Sequence, residues 1–347
     1  MIFNEDTRVK IPATIQLLRL GYNYQSIKNA VIDFDTKIFV DRFKIAIEKI
    51  NQKNFSDTQI KSILTDIHNC LRNNDLGKEF YNWLINPIDK VKLIDFDNIY
   101  NNDFAVVDEL PFCIDKDTEI GSFRPDINIL INGIPLGFLE VKKPNNDGGI
   151  QKEFDRMTKE RLKNNNYRKF FNMLQLIAFS NNMEYENQDD DEAEDVKCGS
   201  FYSTPNGGQT SFSFFREDEK NYHLDYKYFD ISEEKIKDII LDCGYDSSNV
   251  DSEEFKENLD IFTPCNRFVT SVFDKERFLY FLRYGIMFID TPAKDAKSVP
   301  FREKHIMRYP QFFATRKIIE RLEAGGKGGV IWHTQGSGKL SQLPMGV

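Results

Sequence analysis

The chain has 347 residues, of which 40% are apolar and 29% charged; this is the composition of a globular protein of two or three domains and excludes wholesale disorder. No apolar run approaches the ~18 residues of a membrane span, and Met1–Lys10 is too polar for a secretory signal. Five cysteines (Cys70, Cys113, Cys198, Cys243, Cys265) lie far apart with no CxxC pair, which argues against a disulfide framework or structural zinc and for a reducing, cytoplasmic setting. The net charge of −9 is uneven: eight acids fall between Glu184 and Asp195, whereas Lys142–Lys169 holds nine Lys and Arg against four acids. Because the lining of a cleft sets its own field, a polyanionic partner stays open despite the acidic total.

The first ninety residues read as helical. Pro12 opens a short helix that Gly21 can close. Ser56 and Gln59 have capping-box spacing ahead of Ile60, Ile63, Leu64, Ile67 and Leu71, which share one helical face. The period then changes: Phe104–Val107, Asp126–Ile131 and Leu136–Lys142 are short β-prone runs broken by Pro, Gly and Asn. A helix over Gly148–Lys163 and a buried segment over Met173–Ser180 follow. The order α–β–β–β–α–β predicts an α/β fold, a mixed sheet flanked by helices. Phe201–Val250 reads as further strand and turn. From Ile261 the pattern of Phe268, Val269, Phe273, Phe278, Leu279 and Leu282 predicts helices bridging to a second domain. Gly325–Gly329 break the chain before a short apolar strand, Val330–Trp332. So little sequence follows the next glycine-rich loop that the chain reads as a fragment of a longer polypeptide.

Phe123-Arg124-Pro125-Asp126 followed by Glu140-Val141-Lys142 has the form PD…ExK. Hydrolysis of a phosphodiester needs a hard cation to neutralise developing charge, and Mg²⁺ takes oxygen ligands such as Asp126 and Glu140. A cation also relieves the repulsion between two close carboxylates. Lys142, two residues from Glu140 on a strand, shares its face and can orient water or stabilise charge. The bare pattern also arises by chance, as a solvated hairpin face. Against that, these charges sit in an otherwise apolar hairpin and need an explanation. The reading makes a geometric demand. A regular hairpin with a two-residue turn at Asn132-Gly133 would put Glu140 on the opposite face from Asp126. A three-residue loop, or a bulge near Pro135 or Gly137, is therefore required.

Gly336-Ser337-Gly338-Lys339, after a strand, resembles a phosphate-binding loop in which backbone N–H groups and the lysine hold phosphates. His333 stands in place of the first glycine and Leu340 in place of the Mg²⁺-binding hydroxyl. A generic glycine-rich turn is the alternative. His68, His223 and His305 are isolated and give no metal or triad spacing.

Together these motifs, with Asn132–Leu136, Lys142-Lys143-Pro144, Val272–Phe278 and Arg308–Ala314, resemble the restriction (motor) subunit of type I restriction–modification enzymes. The resemblance spans most of Phe104–Lys339, and His333 is usual there. It implies a RecB-like PD-(D/E)xK endonuclease core followed by the start of a superfamily 2, RecA-like DNA translocase, with Mg²⁺ and ATP as cofactors. Asp126 and Glu140 would bind metal, and Lys142 would be the catalytic lysine. Gln311 would read adenine, while Gly336, Gly338 and Lys339 would hold phosphate. Double-stranded DNA, a specificity subunit and a methyltransferase subunit would be the partners. The expected division is an endonuclease domain over 1–258, a helical linker with the Q motif over 259–324, and the truncated motor start over 325–347. Three departures stand out. Arg156 and Glu160 occupy the place of the family's QxxxY motif, with Gln175 as a substitute; only Glu5 or Asp6 can replace its early acidic residue; and Leu340–Val347 does not match its helix after the loop. A catalytically silent DNA-binding or docking module and an ATPase fragment are the competing readings.

Overall fold

A computed structural model describes residues 4–112, 123–144, 149–184, 199–206, 212–217, 226–291 and 301–330. A π-helical turn, Asp6–Lys10, runs into α1 (Ile11–Arg19), which ends at Gly21 with φ +85°. Strand β1 (Asn23–Tyr24), α2 (Val40–Asn51), α3 (Asp57–Leu71) and α4 (Lys78–Ile85) follow. The Ser56–Gln59 capping box is present at the start of α3, and the expected apolar face of that helix is buried.

The expected β-prone runs form β2 (Phe104–Asp108), β3 (Ile127–Ile131) and β4 (Ile134–Val141). Helix α5 (Gly149–Asp155), a π-helical turn at Arg156–Arg161 and α6 (Arg168–Met173) then cross to β5 (Leu176–Ser180), followed by β6 (Ser200–Ser203). These make a six-stranded mixed sheet in the order β1-β2-β3-β4-β5-β6. Strands β2, β3 and β4 are an antiparallel meander, β5 is parallel to β4, and β6 is antiparallel to β5. The parallel β4–β5 step needs a crossover, which α5 and α6 supply.

Each face of the sheet has its own core. Ile127, Ile129, Ile131, Leu139, Val141, Leu176 and Ala178 pack into the large cluster beneath the N-terminal helices. Phe138, Ile177, Phe179 and Phe201 face a second cluster with Ile150, Met157 and Phe170 from the crossover. A sheet covered on both faces explains why β3, β4 and β5 are buried end to end.

The stretch after β6 departs from expectation, whereas the helices expected from Ile261 onward are present. Among the described residues of Phe201–Val250, β6 is followed by a helix that the strand-and-turn expectation lacked, α7 (Glu233–Asp242). Ser232 caps this helix by accepting from the Lys235 N–H, two glutamates fill its first turn, and Ile239 and Ile240 are buried. After α8 (Glu253–Asn258) come α9 (Pro264–Phe273) and α10 (Lys275–Tyr284). The apolar residues of α9 and α10 lie in the same core as the sheet. Gln16 Nε2 donates to Thr270 Oγ1 at 2.8 Å, and the Tyr22 hydroxyl donates to the Phe273 carbonyl at 2.7 Å. A two-stranded hairpin, β7 (Ile286–Thr291) with β8 (Phe301–Ile306), precedes α11 (Tyr309–Glu323). Phe312 of α11 stacks on Phe281 of α10 with ring centroids 5.2 Å apart. Among the described residues no helix is long and apolar enough to cross a membrane.

Candidate active site

The site is set by the β3–β4 hairpin. Asn132 (φ +55°) and Gly133 (φ +75°) form a two-residue turn, with Ile131 paired to Ile134 and Leu130 to Pro135. The register then shifts: Ile129 pairs with Gly137, Asn128 with Phe138 and Ile127 with Leu139. Leu136 is the extra residue of a β-bulge. The next step of the ladder sets Asp126 opposite Glu140, on the face shared with Phe138. The demanded bulge is therefore present, between Pro135 and Gly137, and it does what a three-residue loop would have done.

Asp126 lies just before β3. Its main-chain carbonyl accepts from the Glu109 N–H at 3.0 Å, and its Oδ2 accepts from the Val141 N–H at 2.8 Å. Asn128, fully buried, donates from Nδ2 to the Pro125 carbonyl at 3.1 Å and so braces the Pro125-Asp126 turn. Lys142 Nζ lies 3.8 Å from Asp126 Oδ2, 3.1 Å from Glu5 Oε1 and 2.7 Å from the Val141 carbonyl. Glu140 is 2% exposed, and its Oε2 has no hydrogen-bond partner among the described residues. Its Oε1 lies 4.0 Å from Arg156 Nη2 and 3.9 Å from Arg161 Nη1. Both guanidinium groups bond instead to Glu153 on α5.

The electrostatics follow from burial. Desolvation pushes the Asp126 carboxyl up to about 6, against the pull of Lys142 and the Val141 N–H. Desolvation, then repulsion from Asp126 and Glu153, raises Glu140 well above the carboxylate range. For Lys142, burial favours the neutral amine, but Asp126, Glu140 and Glu5 together outweigh it and hold the group protonated.

This donor set fits a hard cation. Two opposed carboxylates destabilise each other, and one buried carboxylate oxygen is unsatisfied. No three His, Cys, Asp or Glu side chains gather as a metal cluster among the described residues. A cation here would thus keep several positions for water or substrate oxygens, as Mg²⁺ usually does.

Of the residues singled out from sequence, Asp126, Glu140 and Lys142 converge. Glu5 joins them through Lys142, whereas Asp6 pairs with Lys10 at 2.7 Å. Arg156 reaches the site, but Glu160 is exposed. Gln175 does not substitute for the missing motif. It lies at the other end of the β4–β5 ladder, where its N–H donates to the Leu136 carbonyl at 2.8 Å and its Nε2 to the Met173 carbonyl at 2.7 Å. Gln311 is buried at the start of α11, its Oε1 accepting from the Arg308 N–H at 2.7 Å in a capping box. Gly336, Gly338 and Lys339, with most of the Val330–Trp332 strand, lie outside the described residues. Sequence reasoning missed Asn128, Glu153 and Arg161. Only the crowding of opposite charges on one helix after ExK could have pointed to the last two.

Residues 2–194 match the model of the type I restriction enzyme R protein N terminus. The chain belongs to this family. A second model, the SWI2/SNF2 ATPase, matches residues 310–345. The "Putative type I restriction enzyme MjaIXP endonuclease subunit" of Methanocaldococcus jannaschii is 25% identical over 97% of this chain and 30% of its own length. The MjaVIIP endonuclease subunit, similarly named and from the same organism, is 29% identical over 72% of this chain and 18% of its own. The chain thus spans less than a third of the length of these relatives.

Proposed function

We propose that this chain is the Mg²⁺-dependent endonuclease region of a type I restriction subunit, built on a PD-(D/E)xK core and hydrolysing DNA phosphodiester bonds. The observation that carries the reading is the buried Glu140 and the half-buried Asp126, brought to one face by the bulge in β4, with the Lys142 ammonium beside Asp126. Asp126 and Glu140 would hold the cation, which when bound acts as a Lewis acid and makes water a nucleophile near neutral pH. The Val141 N–H fixes the Asp126 carboxylate in place. Lys142, 3.8 Å from Asp126 Oδ2, is placed to draw a phosphate oxygen in and to stabilise charge developing there. Phe138, on the same face of β4 as Glu140, belongs to an apolar cluster with Phe123 and Phe170, and such surroundings lower the local dielectric and strengthen each of these interactions.

The SWI2/SNF2 match supports the further reading that the full-length subunit is an ATP-driven translocase, with Gln311 and Lys339 in its nucleotide site. Membership of the type I restriction family supports specificity and methyltransferase subunits as its partners. The test is a full-length complex carrying Asp126→Ala, Glu140→Ala or Lys142→Ala. Each should lose DNA cleavage and keep ATP hydrolysis and translocation. Cleavage by Asp126→Ala at the unmutated rate would sink the assignment.

A further inference from the structure

We propose that Glu153 is a positioning residue that keeps Glu140 available to a divalent cation by taking two neighbouring guanidinium groups onto itself. The inference rests on the nuclease reading above and deepens it. Glu153, 5% exposed on α5, accepts at one oxygen, Oε1, from Arg156 Nε at 3.0 Å, Arg156 Nη2 at 2.8 Å and Arg161 Nη1 at 2.8 Å. The same two guanidinium groups stand 4.0 and 3.9 Å from Glu140 Oε1, about an ångström beyond hydrogen-bond length. Arg156 sits three residues along the helix from Glu153, the spacing at which side chains meet. Arg161 is held from its other side by the Phe123 ring, 4.0 Å away.

A shift of about an ångström would give either arginine a charge-assisted bond to Glu140. A cation entering the site would then have to displace it. Glu153 prevents this by being the better-placed acceptor, and Glu140 Oε2 stays unpartnered among the described residues although it is buried. Leaving that oxygen unsatisfied carries a cost that a bound cation would remove.

The test is calorimetric titration of the purified chain with Mn²⁺, with folding followed by circular dichroism. Glu153→Gln should weaken Mn²⁺ binding by roughly 10–100-fold, the usual effect of losing a group that orients a ligand. Adding Arg156→Gln and Arg161→Gln to that variant should restore most of the affinity, since no competitor for Glu140 remains. Lys159→Gln removes one positive charge from the same segment, where Lys159 pairs with Asp155 at 3.0 Å, and should restore none. Unweakened binding by Glu153→Gln overturns the inference. So does a loss that the arginine changes do not repair, or that Lys159→Gln repairs equally. Should Glu153→Gln fail to fold, Arg156→Gln alone decides: it must not weaken Mn²⁺ binding, and if it does the arginine supports the site instead of competing for it. An unmutated chain that binds no Mn²⁺ overturns the nuclease reading, and this inference with it.

Discussion

The Val141 N–H donates to the Asp126 carboxylate at 2.8 Å, across the mouth of the β3–β4 hairpin. A main-chain donor from the residue between Glu140 and Lys142 thereby fixes the carboxylate that faces them. The acidic residues and the lysine are coupled through one strand, so the site forms only when the register is right.

Glu140 sits where an ionised carboxyl is costly. It is buried, repelled by Asp126 and Glu153, and half of its carboxylate is unsatisfied. In the absence of divalent metal, Glu140→Gln should leave the melting temperature unchanged at low pH and raise it at high pH, because the change removes the cost of ionising a buried carboxyl. The same variant in the full complex should lose at least about 10²-fold in cleavage rate, by analogy with the loss of other groups acting directly in such chemistry. Differential scanning calorimetry and plasmid linearisation would read the two effects separately. A destabilised but active variant would contradict both.

Asp108 gives a pH dependence of known sign. Burial pushes its carboxyl up to about 7, against the pull of Lys10 and hydrogen bonds from Thr14 Oγ1 and Cys243 Sγ; Glu109 adds repulsion, and Tyr24 lies close by. Its folded value thus exceeds the ordinary 3.8 of the unfolded chain. Between those values the folded state binds more protons, so this group's contribution to stability is full below 3.8 and is lost as the pH rises through about 7. Asp108→Asn should therefore raise the melting temperature more at pH 8 than at pH 5. An equal shift at both values would show that the carboxyl ionises normally.

Gly133→Ala should destabilise the chain by more than about 1–2 kcal/mol, the cost of a left-handed residue bearing a side chain. A Cβ there would lie 2.7 Å from the Phe39 carbonyl oxygen and 2.9 Å from the Phe43 nitrogen, so the turn is pinned beneath the start of α2. The midpoint of urea unfolding measures the change, and a shift within error would mean that the turn can open away from α2.

Arg277 and Glu217 form a buried ion pair 2.6 Å apart, with the guanidinium among the rings of Phe215, Tyr226 and Phe312. Arg277→Leu alone should cost about 3–5 kcal/mol by leaving Glu217 buried without its countercharge. The double variant Arg277→Leu/Glu217→Leu should recover much of that loss in the same unfolding assay. If the double change costs the sum of the singles, the two side chains are not energetically coupled and the loss in Arg277→Leu has another source.

Local signals in the sequence carried the elements that form on their own terms. The Ser56–Gln59 cap, the β-prone runs and the helix after ExK all appear where their residues place them. The bulge was legible as a necessity, and its trace is visible in β4: Ile134 and Leu136 face the large core, and then the inward parity changes to Leu139 and Val141. Contacts distant in sequence were not legible. Nothing local to Glu5 says that it will meet Lys142, 137 residues away. The pattern of α9 and α10 gave two amphipathic helices but not the surfaces they cover: α9 lies against α1, joined by the Gln16–Thr270 bond and by the Tyr22–Phe273 bond just beyond α1. Helix α7 was missed because isoleucine-rich runs suit strands and helices alike, and the deciding signal was the Ser232 cap.

Leu136 makes the chemistry of this hairpin depend on a count of residues. Its side chain is one more buried apolar group, and many substitutions there would keep a similar volume. Loss of its codon, with the reading frame intact, is a different event. Asp126, Glu140 and Lys142 would all still be encoded, and the hairpin could still close at Asn132-Gly133. Glu140 would then emerge on the wrong side of the sheet, facing the large apolar core. For this segment an in-frame deletion of one residue is therefore a more damaging lesion than most point mutations, and a comparison of genomes that scores identity without gaps would overlook it.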